Sequence, residues 1–222
     1  MGRLYRTFAA LLAAGLLTVL LLTGCSDSSS IRDDAENYVK AVLDLMCTGD
    51  YDHSVTFADP ESGNGSAARD AMIAEIVNNA AKDNTLNEDQ RAQLQDLVSR
   101  AFPACRYSIK NVRETEDGGC DVTVSIEPLK FFAGVGDALT NKVRELSADT
   151  EKAITMTAEE QTAALSQVMF DQLNQNLEAP AYEPAVEVVV HYGLLEGWQD
   201  RYGIDEAAGR ALGEKLFSRE GL

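Results

Sequence analysis

Glu116-Asp117-Gly118-Gly119-Cys120-Asp121-Val122-Thr123-Val124-Ser125-Ile126-Glu127 is the stretch on which the fold turns. Cys120, Val122, Val124 and Ile126 alternate with Asp121, Thr123, Ser125 and Glu127, the two-residue period of a strand with one buried face. Asp117-Gly118 supplies a tight turn and Tyr107-Ser108-Ile109 leads into it, so segments 107–115 and 120–127 are expected to pair antiparallel. A second alternating stretch sends Val186, Val188, Val190 and Tyr192 one way and Glu187, Val189 and His191 the other. Glu196-Gly197 is its expected turn, with Trp198, Tyr202 and Ile204 returning on a partner strand. Tyr38, Val42, Val122, Val124 and Val188 should share one core, because a one-residue slip of register would expose the whole apolar set.

Around these stretches the period is helical. Ile31, Ala35, Tyr38, Val39, Val42, Leu45 and Met46 trace one face of a helix that Gly49 ends. A loop from Asp50 to Ser66 follows, after which Met72, Ile73, Ile76, Val77 and Ala80 predict a second helix. Leu94, Leu97, Val98, Ala101 and Phe102 predict a third, opened by an Asn87/Gln90 capping box and closed by Pro103. Gly134 and Gly136 precede two more helical stretches, roughly 137–152 and 158–177, the latter capped by Thr157 with Glu160. Asp205 is placed to cap a last helix carrying Ala208, Ala211, Leu212, Leu216 and Phe217. This order argues against parallel βαβ repeats and for an α+β fold, helices packed on a curved antiparallel sheet built from two hairpins.

The amino-terminal residues have a different character. Arg3 and Arg6 precede an uncharged apolar run from Thr7 to Leu22, about 16 residues against the roughly 20 that a spanning helix needs. That is the layout of a cleaved secretory signal. Leu22-Thr23-Gly24-Cys25 then has the order of a bacterial lipobox, whose cysteine thiol accepts a diacylglycerol bearing chains such as palmitate. Residues 1–24 are therefore expected to be a lipoprotein signal peptide, 25–30 a tether lipidated at Cys25, and 31–222 a single α+β domain. At about 0.8 kcal/mol per buried methylene, two or three acyl chains make a lasting anchor to the cell membrane, with the domain facing the extracellular side.

The chain carries 19 basic and 36 acidic residues, a formal net charge of −17. Without Arg3 and Arg6, 17 basic residues remain and the mature chain stands near −19. Such a surface is repelled by nucleic acid and by anionic headgroups, so the membrane, reached through the N-terminal lipid, is the partner the sequence implies. Any protein, peptide or cell-wall ligand is left open. An extracytoplasmic location permits disulfides, and with Cys25 acylated three thiols remain. A turn at Asp117-Gly118 sets Cys120 about ten strand residues, roughly 33 Å, from Cys105, which rules out that pair. Cys47 with Cys105 is the best remaining candidate bridge.

Three pieces of the chain carry a family resemblance. They are Tyr38-Val39-Lys40-Ala41-Val42-Leu43-Asp44 with Gly49-Asp50-Tyr51, Val124-Ser125-Ile126-Glu127-Pro128-Leu129, and Trp198 with Ile204-Asp205-Glu206. In these the chain resembles an uncharacterised lipoprotein family of Gram-positive gut bacteria, similar in layout to nuclear transport factor 2-like and cystatin-like α+β folds. The resemblance spans most of the mature chain and implies a fold without implying an activity. Cys47 and Cys105 depart from the family pattern, so a bridge between them would be particular to this chain.

Catalytic raw material is sparse. His53 and His191 are the two histidines, and no His-x-x-x-His, Cys-x-x-Cys or Glu-x-x-His spacing occurs, so neither a metal nor a cofactor is expected. Asp50 with Asp52, and Asp117 with Asp121, lack the ligand spacing of a calcium loop. Gly134 and Gly136 lack the third glycine of a nucleotide loop, no Gly-x-Ser-x-Gly occurs, and Gly193, Gly197 and Gly203 read as turns and strand irregularities. Asp33-Asp34, Glu159-Glu160 and Asp205-Glu206 fall at helix starts, where the helix dipole favours negative charge. The favoured reading is a non-catalytic binding or interaction module. The alternative is a cell-envelope enzyme in which His191 and a carboxylate form an acid-base pair in a pocket of a cone-shaped α+β fold. Glu187, about 13 Å along the strand, is too far to be that carboxylate.

Overall fold

Residues 30–50, 65–84, 86–148, 155–195 and 201–220 are described by the computed structural model; Cys25, His53, Trp198 and the Glu196-Gly197 turn lie outside the described residues. Helix α1 (Ile31–Cys47) begins at Ser30, whose side chain accepts the Asp33 N–H, and Asp33 and Asp34 occupy its first turn. Its buried face includes Ala35, Tyr38, Val39, Val42, Leu45 and Met46, as the helical period predicts. Helices α2 (Gly65–Asn84) and α3 (Glu88–Ala101) follow, the second opened by the reciprocal Asn87/Gln90 box. Pro103 lets the chain run on for one 3-10 turn, Phe102–Ala104, before the backbone extends.

Strands β1 (Arg106–Glu114) and β2 (Cys120–Glu127) pair antiparallel and turn through Gly118, whose φ of 82° suits a residue without a Cβ. The register shifts between Ile109 and Asn111, so Lys110 is bulged. That extra residue lets Tyr107, Ile109 and then Val112 all turn towards the core although their spacing is two and then three. Helices α4 (Val135–Ala148) and α5 (Ala158–Glu178) form the next pair, α5 opened by the Thr157/Glu160 box. Strand β3 (Val186–Leu194) then returns beside β2, and β4 (Tyr202–Ile204) and α6 (Glu206–Leu216), capped by Asp205, complete the described chain.

Among the described residues, six helices and four strands make an α+β fold. The strands lie in the order β1-β2-β3-β4, antiparallel throughout, in a sheet that does not close. The two expected hairpins are thus joined edge to edge, with α4 and α5 inserted between neighbouring strands. The inner sheet face packs on α1: Val122, Val124, Ile126 and Val190 are buried, and the Tyr38 and Tyr192 ring centroids lie 5.1 Å apart. Tyr38, Val42, Val122 and Val124 share this core, with Val188 half-buried against it. The Arg32 guanidinium ties the start of α1 to β1 by donating to the Val112 carbonyl at 2.9 Å. No described element covers the outer face at β3, where Glu187, Val189 and His191 are exposed, Val189 by 60%.

Candidate functional site

One row of side chains crosses the outer face of three strands. Arg113 of β1 stands opposite Asp121 of β2, and Asp121 stands opposite His191 of β3. Arg113 Nη2 reaches Asp121 Oδ2 at 2.7 Å, and His191 Nδ1 lies 3.2 Å from Asp121 Oδ1. The turn supplies a second carboxylate, Asp117, whose Oδ2 is 3.1 Å from His191 Nε2. Asp117 is held in place from its other oxygen, which accepts from the Thr115 hydroxyl at 2.5 Å and the Gly119 N–H at 3.2 Å.

The imidazole lies over two glycines. A Cβ at Gly119 would stand 2.5 Å from the Tyr192 carbonyl oxygen and 2.9 Å from His191 Cε1, and one at Gly193 would stand 2.6 Å from His191 Nε2. Gly193 is therefore neither a turn nor an irregularity: it lies within β3 and leaves room for the ring. Gly119→Ala is expected to cost about 1–3 kcal/mol, because the obstacle is backbone that must shift. Urea denaturation should show a lower midpoint at unchanged slope, and an unchanged midpoint would refute the close approach.

The Thr115 hydroxyl, then the Gly119 N–H and the His191 ring, hold the Asp117 carboxyl below its ordinary 3.8. The Arg113 guanidinium, followed by the His191 ring, does the same for Asp121. A depressed carboxyl contributes stability above its unfolded pKa and loses it as pH falls through the lower folded value. Thermal melts below about pH 4 should therefore drop more steeply for the native chain than for the double variant Asp117→Asn/Asp121→Asn. Parallel acid limbs would count against this coupling.

Chemically the row is a clamp. Both ring nitrogens face carboxylates, and donating to both requires the doubly protonated ring, whereas a neutral ring donates to one. A general base needs a ring nitrogen turned towards its substrate, and here each is already directed at an aspartate. The ring also points away from the helices, on the open face; Glu187 stands opposite Ser125 and outside the cluster. The carboxylate partners that the sequence does not identify for His191 are Asp117 and Asp121. Both are visible as polar residues of the hairpin, but only the β2–β3 register shows that they meet His191.

Two clefts open elsewhere among the described residues. One of about 380 Å³ runs between Asp33 and Glu36 of α1 and Lys110 and Asn111 of β1. The other, about 350 Å³, lies by Glu183, Lys215 and Phe217. There the buried Ser218 hydroxyl donates to Glu183 and accepts the Glu220 N–H at 3.0 Å, so it fixes the segment after α6. Among the described residues no group of three His, Cys, Asp or Glu side chains is arranged to hold a metal, and no helix is long and apolar enough to cross a membrane. Cys47 ends α1 and is buried, with Cys105 as its neighbour at the start of β1. Cys120 is buried at the other end of α1, where its thiol lies 3.7 Å from the Ile31 carbonyl.

No model of a known protein family matches the chain, and no curated protein matches it. Its fold is similar to the crystal structure of a candidate lipoprotein (ycdA) from Bacillus subtilis subsp. subtilis str. 168, with a TM-score of 0.52 and 16% identity. The match covers 84% of this chain and 56% of that one, so the chain spans little more than half the length of this neighbour. At this identity the likeness is one of fold.

Proposed function

We propose that this chain is a lipoprotein, acylated at Cys25 after removal of residues 1–24, whose single domain (31–222) faces the extracellular side of the membrane. It acts by binding a protein, peptide or cell-wall component and turns over no substrate. The lipobox order Leu22-Thr23-Gly24-Cys25 supports the anchor, and the fold likeness to a candidate lipoprotein agrees with it. The same proposal includes the layout of helices on one sheet face akin to nuclear transport factor 2-like and cystatin-like folds.

The observation that carries the binding half is the state of His191, with each ring nitrogen directed at an aspartate on an open face. An open, polar strand face with an exposed Val189 suits contact with a large partner better than enclosure of a small one. Replacing Cys25 by serine should abolish labelling with a fatty-acid analogue and leave the chain unprocessed or unanchored; persistent label would overturn the anchor. A second reading, an envelope enzyme, is favoured by the Asp121–His191 contact with Arg113 behind it. The full chain in detergent should be inactive in hydrolase and isomerase screens. A reproducible activity that His191→Ala removes, with an unchanged circular dichroism spectrum, would transfer the assignment to that enzyme.

A further inference from the structure

We propose that Cys47 and Cys105 form a disulfide that staples the end of α1 to the start of β1. The two segments already lie side by side. Asp44, one helical turn before Cys47, accepts the Tyr107 hydroxyl at 2.6 Å, and Tyr107 follows Cys105 by two residues along the extended chain. The cysteines are the next pair along this contact, and both thiols are free in the structure. Cys47 is buried, and Cys105 is half-buried with its sulfur 3.6 Å from the Ala101 carbonyl and 3.9 Å from that of Leu216. Cys120 cannot compete. It sits against Ile31, about 24 Å up α1 from Cys47 at 1.5 Å rise per residue, far beyond the Cα separation of roughly 7 Å that a bridge tolerates.

The oxidant is a disulfide donor, either a protein or a small molecule. One cysteine thiolate attacks a donor sulfur and releases the first donor thiol. The second cysteine then attacks the mixed disulfide, closing the Cys47–Cys105 bond and releasing the second donor thiol, so two electrons and two protons pass from the cysteine pair to the donor. Burial, and then the Cys47 neighbour, push the Cys105 thiol well above its ordinary 9.0. Folded Cys105 is therefore poor in thiolate, and exchange through it is fastest while the chain is still folding.

Oxidation in the producing cell rests on the extracytoplasmic placement proposed above, so the test has two arms. In the first, the full chain is recovered from cells without reductant, its free thiols are blocked with a maleimide under denaturing conditions, and its peptides are mapped by mass spectrometry. The expected result is a Cys47–Cys105 cross-linked peptide and maleimide on Cys120. In the second, reduced full chain unfolded in urea is returned to native buffer with a reduced and oxidised glutathione pair and mapped in the same way. A cross-link in both arms supports the bridge, and one in the glutathione arm alone supports it while counting against the extracytoplasmic placement. Maleimide on both Cys47 and Cys105 in both arms, or a cross-link that includes Cys120, overturns it.

Discussion

Replacing Phe102 by alanine is expected to destabilise the protein by about 4 kcal/mol, within the range of about 3–5 kcal/mol for removing a buried phenylalanine ring. The ring is fully buried at the point where α3 gives way to the 3-10 turn, and it meets Phe217 edge-on at 5.3 Å between centroids and 86° between planes. Phe217 is also 5.9 Å from Phe131, so the vacated space would border a packed aromatic cluster. Pro103 follows Phe102 directly and restricts the local backbone, which limits collapse into the cavity. For a domain of this size the melting temperature should fall by roughly 8–16 °C. A cycle with Phe217→Ala should show the two losses coupled by about 0.5–1.5 kcal/mol. A loss below about 1 kcal/mol for Phe102→Ala would mean that the ring does not fill the site assigned to it.

Reduction of the proposed Cys47–Cys105 bridge is expected to cost a similar amount. It closes the loop of residues 48–104, and chain-entropy arithmetic values such a closure at about 4 kcal/mol before any native-state strain. The loop joins α1 to β1 across α2 and α3, so opening it frees the unfolded chain over both of these helices. Oxidised native chain should therefore melt roughly 8–16 °C above the same chain in reductant. The double variant Cys47→Ala/Cys105→Ala should melt at one temperature in both conditions. Equal melting of the native chain with and without reductant would count against the bridge, whereas Cys120→Ala should leave the reductant response intact.

Much of the fold is legible residue by residue because its signals are local. The Asn87/Gln90 and Thr157/Glu160 boxes join groups three residues apart, and Asp205 caps Ala208 over the same span. The alternation through Cys120–Glu127 and Val186–Leu194 states which side chains share a face, and burial follows it except at Ser125, Gly193 and Leu194. The proposed pairing of Cys47 with Cys105 rests, in the sequence, on a different reason: three thiols leave few combinations, and strand length removes one of them. The bulge at Lys110 is less apparent, since a spacing of two and then three between Tyr107, Ile109 and Val112 also suits a helix or a loop.

The sequence alone determined the alternation of helices and strands and the polarity of each strand face, properties set by neighbours within a few residues. Only the tertiary structure decided that β3 lies beside β2 across the inserted α4 and α5, in the register that sets Asp121 opposite His191, 70 residues away. A strand's period of two specifies a face but no partner, because the backbone hydrogen bonds that fix a register are the same at every residue. The choice among registers is made by packing of the inner-face valines on α1, and the meeting of Arg113, Asp121, Asp117 and His191 on the opposite face follows from that choice.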